Sequence, residues 1–296
     1  MAGAVVPQVE LFDFHRQPTL LRSWSQKSPL SRRLVGGMRG AIFFYLIPCR
    51  ETLRMGLDLR VRDRQPELMD QPGLDPAKHL LALRGLRRIN AWSRTVPAIW
   101  SRLLTELNAN RRDHDGQRLP LRVLDVACGG GDTVLALNQL AARSSHPIQV
   151  DGCDISSTAV QIAQRSAAGE QSSARFFVAD ALQNPLPDDY DVVMCSLFLH
   201  HLDEADAVSL LQRMMAARRL VLVNDLRRTR LGYVLAYLGT RILSRSPIVH
   251  VDGPLSVRAA WTEDEVRCLA KSAGMDQVSF VRFWPQRFLM SWTRGS

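Results

Sequence analysis

Residues 121–132, LRVLDVACGGGD, constrain the fold of this chain more than any other segment. The largely apolar run through Val126 suits a strand of a parallel sheet that is covered on both faces. Gly129, Gly130 and Gly131 follow at once, and a turn without side chains lets a ligand reach the backbone itself. Asp132 and Thr133 then open a helix. Strand, glycine turn and helix in this order form a crevice at the carboxyl edge of a sheet, where a nucleoside cofactor fits.

Two details choose between cofactors. Read as a dinucleotide fingerprint, Gly129-x-Gly131 puts Val134 where the third glycine belongs, against the close helix packing that motif needs. Asp125 also lies inside the strand, ahead of the glycines. A carboxylate there repels a pyrophosphate but attracts the positively charged methionine portion of S-adenosyl-L-methionine. That cofactor would be met by Asp125 and by the turn residues Ala127, Cys128, Gly129 and Gly131.

The next segments extend the pattern. Residues 148–154 predict a second strand ending in Asp154, whose carboxylate can accept both ribose hydroxyls, with Ile155 beside it. Residues 175–180 predict a third strand, where Asp180 can receive the adenine amino group and Ala181 leaves room for the ring. Residues 191–197 predict a fourth, with Ser196 at the end that points to the reacting methyl group.

In these residues the chain resembles the class I S-adenosylmethionine-dependent methyltransferases. LDVACGGGD is similar to their first motif, GCDIS to their ribose-acid segment, VADAL to their adenine segment, and DVVMCSLFLHHL to their fourth strand and following loop. Ala127 stands where many members carry glycine. The resemblance covers roughly residues 66–296 and implies a doubly wound, seven-stranded Rossmann-like α/β sheet. It further implies N-terminal cap helices and transfer of a methyl group.

A chain of 296 residues buries one sizeable core, so one catalytic domain over residues 66–296 is expected, after a basic extension over residues 1–65. Between His15 and Arg50 stand seven Lys or Arg residues and no acid, around the short apolar piece AIFFYLI at 41–47. A targeting segment has this composition, but the apolar piece comes late and lacks a cleavage pattern. A disordered tail, or a reading frame that starts at Met55, is favoured. The five cysteines, at 49, 128, 153, 195 and 268, show no paired metal spacing and suit reduced thiols in a cytoplasm. Neither a metal nor a redox cofactor is implied. No apolar run approaches the roughly 18 residues of a membrane span.

After the turn-rich stretch 66–76, apolar residues at 80, 83, 86, 89 and 92 recur at helical spacing, and a second helix restarts at 95–97. Residues 111–116 read as a solvated loop. Strands and helices then alternate, with helices after Gly131, at 156–167 and at 203–217, and a fifth strand at 219–224. Thr262-Glu-Asp-Glu265 is a capping box for a last helix that stops at Gly274, before closing strands at 277–283 and 286–292.

Methyl transfer is an in-line displacement on a sulfonium, so the protein positions and desolvates, and removes a proton where the acceptor is a hydroxyl. His200 and His201, in the loop after strand four, are the candidate bases. The family's loops place His201 ahead of His200, while simple hydrogen bonding to backbone remains an alternative for both. Cys195-Ser-Leu-Phe198 lacks the Asn/Asp-Pro-Pro-aromatic turn used for base amines. Residues 231–238, apolar between Arg230 and Arg241, suit a greasy acceptor, a membrane interface or plain sheet cover. The turn-rich 249–258 offers His250, Asp252, Ser256 and Arg258 as further acceptor contacts, or as residues that order a loop.

The plan looks most like the quinone-biosynthesis and polyketide or phenolic-lipid branches. It implies methylation of oxygen or carbon on a small lipophilic phenolic, quinone-like or polyketide acceptor by a cytoplasmic enzyme, with peripheral membrane contact left open. The net charge of +9 keeps an RNA methyltransferase as a rival, although nucleic acid is not the expected partner. A non-catalytic interaction subunit ranks last.

Overall fold

A computed structural model of the chain describes residues 58–71, 73–109 and 119–295. The basic segment 15–50 with its apolar piece, Cys49, Met55 and the loop 111–116 lie outside the described residues.

Two helices come first, α1 (Pro76–Trp92) and α2 (Thr95–Asn108). Asp75 caps α1 by accepting from the Lys78 N–H, and Pro76 needs no partner for the N–H it lacks. The alternating part then runs β1 (Leu121–Val126), α3 (Asp132–Ser144), β2 (Ile148–Asp154), α4 (Ser157–Gly169), β3 (Phe176–Val178) and β4 (Val192–Ser196). It continues through α5 (Glu204–Met214) and β5 (Leu220–Leu226), then α6 (Arg230–Leu243), α7 (Pro247–Ala259), α8 (Glu263–Ser272), β6 (Ser279–Phe283) and β7 (Arg287–Thr293).

These strands form one seven-stranded sheet in the order β3-β2-β1-β4-β5-β7-β6. The first five are parallel, and β7 runs antiparallel to both its neighbours. The order reverses at β1, whose neighbours are β2 and β4, so a crevice opens beyond the carboxyl ends of β1 and β4.

Period-two alternation divides the core between the two faces. Val123, Val192, Met194, Leu220 and Leu222 pack against Ile99 and Leu103 of α2 and Val134 and Leu137 of α3. Leu124, Val126, Val193, Cys195, Val221 and Val223 point the other way, onto Leu210 and Leu211 of α5 and Val266 and Leu269 of α8. The capping box of α8 is made in both directions, by Thr262 and Glu265.

One expectation is overturned. Residues 249–258 are not a loop but most of α7, with Pro254 inside it. Gly-Pro is a turn signal locally, yet Ile248, Val249, Asp252 and Val257 are all buried and tertiary packing overrides it. Gly253 is required there, because a Cβ would sit 2.4 Å from Thr240 Cγ2 on α6.

Candidate active site

The glycine turn after β1 is tied to β2 by a single carboxylate. Asp154 accepts from the Gly129 N–H through Oδ2 and from the Ser156 N–H through Oδ1, both at 2.8 Å. The Cys128 N–H continues the pairing by donating to Cys153 O at 3.0 Å. Gly129 has φ 53°, and a Cβ added to it would meet nothing within 4 Å, so this turn faces open space. Gly131, at φ 80°, is fixed by packing: a Cβ there would lie 2.8 Å from the Phe176 ring. Ala127 adopts φ 56°, a left-handed conformation that costs a residue with a Cβ about 1–2 kcal/mol, which explains why glycine suits this position.

Among the described residues, four of the seven buried side-chain polar atoms without a partner gather at the same edge. They are Asp125 Oδ1, Ser196 Oγ and both side-chain atoms of Asn224, from the adjacent strands β1, β4 and β5. Burial, and then the nearby Asp154 charge, push the Asp125 carboxyl well above the usual carboxylate range. Groups left in this state want a polar ligand that satisfies them. Burial likewise pushes up the Cys153 thiol, to about 12, so it is not a nucleophile. Asp180 lies past the end of β3 in a turn, where its Oδ1 accepts from the Leu182 N–H at 2.9 Å and the Gln183 N–H at 3.2 Å.

Beyond β4, Leu197 at φ 56° turns the chain into a single 3-10 turn, Leu199–His201. His200 is buried, and its Nδ1 lies 2.6 Å from Oδ1 of the equally buried Asp225 on β5. Asp225 also accepts the His200 N–H at 3.0 Å and the Leu226 N–H at 2.7 Å. Burial pushes the Asp225 carboxyl up, but the His200 imidazole and these N–H groups outweigh it and hold the carboxyl below its usual range. The His201 ring tilts over the His200 ring, with centroids 4.3 Å apart.

Residues 58–71 are strapped across this loop. Arg62 stacks on Trp261 and donates to the carbonyls of His200, Leu202 and Ala259 at 2.6–2.8 Å. Buried Arg228 holds the start of the strap through Leu59 O, and is itself gripped by Glu265 of the α8 capping box. The strap therefore begins before the boundary at 65/66 expected from sequence. It brings Glu67 to the two histidines: a carboxylate oxygen of Glu67 and a ring nitrogen from each of His200 and His201 lie within 4.8 Å of one another. Ser256 on α7 donates to Glu67 Oε1 at 2.5 Å.

The sequence-based acceptor contacts are otherwise engaged. Asp252 accepts the Leu68 and Met69 N–H groups at 2.8 and 3.0 Å, Arg258 pairs with Asp63, and His250 Nε2 lies 2.8 Å from Ser244 O. All three hold the strap or the α6–α7 junction. Sequence reasoning passed over Asn224, Asp225 and Glu67. An acid at the carboxyl end of a strand was a usable signal for Asp225, but the expected strand stopped at 224.

A methyltransferase-domain family matches residues 123–219. The ubiquinone biosynthesis O-methyltransferase of Pseudomonas putida is 30% identical over 172 residues, which cover 54% of this chain and 72% of that protein. The chain belongs to the class I S-adenosylmethionine-dependent methyltransferases. A tRNA N(3)-cytidine methyltransferase of Bos taurus is 28% identical over 181 residues, 58% of this chain and 46% of its own. Among solved structures, magnesium protoporphyrin IX methyltransferase from Synechocystis PCC 6803 with bound S-adenosylhomocysteine has 20% identity and a TM-score of 0.48, covering 76% of this chain and 91% of that one. The family's methyl donor is S-adenosylmethionine, and this chain is a methyltransferase of that kind. Its carboxyl edge fits the donor: the glycine turn is open, and the unpartnered Asp125, Ser196 and Asn224 atoms offer polar contacts.

Proposed function

We propose that this methyltransferase acts on an oxygen, or an activated ring carbon, of a small lipophilic phenolic or quinone-like acceptor. The observation that carries this reading is the buried Asp225–His200 pair, with His201 and Glu67 beside it, next to the end of β4. A phenol must lose its proton as the C–O bond forms and the C–S bond breaks with its electron pair going to sulfur, and an imidazole pair with acids beside it has the chemistry to promote that loss. Asp225 fixes the orientation of His200, so the two histidines form the acceptor-activating pair.

On the donor side, Asp154 receives the ribose hydroxyls, Asp180 the adenine amine beside Ala181, and Asp125 the methionine portion. Ala127, Cys128, Gly129, Gly131, Ile155 and Ser196 line the same crevice. The apolar part of the acceptor lies under α6, beside the half-buried Leu235. The similarity to a quinone-biosynthesis O-methyltransferase supports the choice of acceptor. The tRNA methyltransferase relative and the net charge of +9 favour RNA as the second reading.

The test supplies full-length protein and methyl-labelled S-adenosylmethionine to a cell extract and separates organic-soluble material from RNA. Label in the organic phase, lost in His200→Ala and reduced in acceptor affinity by Leu235→Arg, is the expected result. Label confined to RNA, falling steeply with salt, overturns it.

A further inference from the structure

Glu67, His200 and His201 have the composition of a divalent metal site, and we infer that they hold a transition-metal ion of the zinc type that binds and acidifies the acceptor hydroxyl. This inference rests on the phenolic reading above and names how the histidine pair activates the acceptor. Three observations carry it. The first is proximity: one donor atom from each of the three side chains lies within 4.8 Å of the other two, beside the end of β4. Tetrahedral zinc with bonds of about 2.0–2.2 Å needs its ligands roughly 3.3 Å apart, so at the outer limit the side chains close by about 1.5 Å, within rotamer adjustment of a half-buried Glu and His.

The second is support behind the ligands. Nδ1 of His200 is bound to Asp225 at 2.6 Å, which leaves Nε2 to offer, and Glu67 is oriented by Ser256 at 2.5 Å. A carboxylate behind a histidine is the arrangement that fixes the tautomer of metal-bound imidazole and raises its basicity. The third is charge. Glu67 and Asp225 together supply two negative charges at a largely buried point, which balances a divalent cation. Arg62 and Arg64 donate to the backbone carbonyls of His200, Leu202 and His201.

Two histidines and a glutamate leave a coordination position open, as in catalytic sites that bind a substrate oxygen. A phenolic hydroxyl bound there loses its proton to water more readily, because the ion stabilises the phenolate. The phenolate oxygen then takes the methyl carbon from sulfur, the C–S electron pair stays on sulfur, and the products are the methyl ether and S-adenosylhomocysteine. No oxidant or reductant is needed. The ligand set was invisible as a sequence spacing, because Glu67 arrives on the strap, far from the adjacent histidines.

The experiment uses full-length protein stripped with a chelator, titrated with Zn2+ by calorimetry and separately with Co2+ by visible absorption. S-adenosylhomocysteine affinity serves as the check that each variant is folded. The expected result is saturable uptake of one ion per chain with tetrahedral-type Co2+ bands, loss of both in Glu67→Gln and His201→Gln, and about 10- to 100-fold weaker uptake in Asp225→Asn. Wild-type protein that binds S-adenosylhomocysteine but takes up neither ion, or a Glu67→Gln variant with undiminished uptake, overturns the site. Metal-free turnover of a phenolic acceptor that is lost in His200→Ala sinks the ion while leaving the proposed function standing. Ion uptake without turnover of any phenol leaves the site standing and sinks the acceptor reading.

Discussion

Asp225 and His200 face each other from the carboxyl ends of β5 and the β4 loop, with 2.6 Å between Oδ1 and Nδ1 and both side chains removed from water. The other carboxylate oxygen takes the His200 N–H at 3.0 Å, so one acid fixes both the ring and the backbone that carries it. Trp261 adds to this by donating its indole N–H to Leu199 O at 3.0 Å. With Arg62, which donates to the carbonyls of His200 and Leu202, three residues from separate parts of the chain hold the loop.

Asp225→Asn keeps the shape of the pair and removes its charge. Turnover is expected to fall about 10- to 100-fold with S-adenosylhomocysteine affinity unchanged. Stability should fall by about 1–3 kcal/mol at neutral pH. Because the folded protein holds the Asp225 carboxyl below its usual range, this stability is present above the unfolded-state carboxylate pKa and disappears as pH falls through the lower folded value. Urea melts of both proteins at neutral and acid pH check this, and a difference that grows in acid would count against it.

The strand, glycine turn and strand-end acid were legible in sequence, because they are neighbours along the chain. The sequence reading put Asp154 at the end of one strand and Gly129 in the turn after another, and the structure joins the two with a 2.8 Å bond. The acceptor side was not legible in the same way. Glu67 meets the histidines only because Arg62 and Arg228 strap residues 58–71 over them, a long-range arrangement with no local signal. Residues 249–258 were misread for the opposite reason, since Gly253-Pro254 carries a strong local turn signal that packing against α6 overrules.

Asp154→Ala removes the proposed acceptor of two ribose hydroxyls and also frees the Gly129 and Ser156 N–H groups. Cofactor binding should weaken by roughly 2–4 kcal/mol, and Asp154→Asn, which keeps one acceptor oxygen, should lose less. Calorimetry with S-adenosylhomocysteine measures both, and equal affinity in wild type and Asp154→Ala would remove the ribose role.

Asp125 predicts a trade between stability and binding. The folded, ligand-free protein keeps the Asp125 proton to a higher pH than the unfolded chain does, so ionising it costs stability as pH rises from the unfolded carboxylate pKa toward the folded one. Asp125→Asn should therefore raise the Tm of ligand-free protein at neutral pH by about 2–4 °C, with the gain shrinking in acid, while weakening S-adenosylmethionine binding. A lower Tm in the variant at neutral pH would mean that the carboxylate is paid back by contacts not yet recognised.

The outer face of α6 carries the last prediction. Leu231, Val234, Leu238 and Ile242 recur every three or four residues and are 51%, 48%, 50% and 80% exposed, which makes one apolar stripe. Arg230, Arg241 and Arg245 are exposed around it, and the Arg241 guanidinium lies 3.5 Å over the Tyr237 ring, leaving its charge at the rim of the stripe. An exposed apolar stripe rimmed by arginines has the composition of a surface that docks on an anionic bilayer, and such docking is the expected outcome. Full-length protein should co-sediment with phosphatidylserine-containing vesicles and less with neutral ones. Leu238→Asp together with Ile242→Asp should weaken that partition about 100-fold, equivalent to about 2.7 kcal/mol. Equal sedimentation of the double variant, or none by the wild type, would leave the stripe without a role at the membrane.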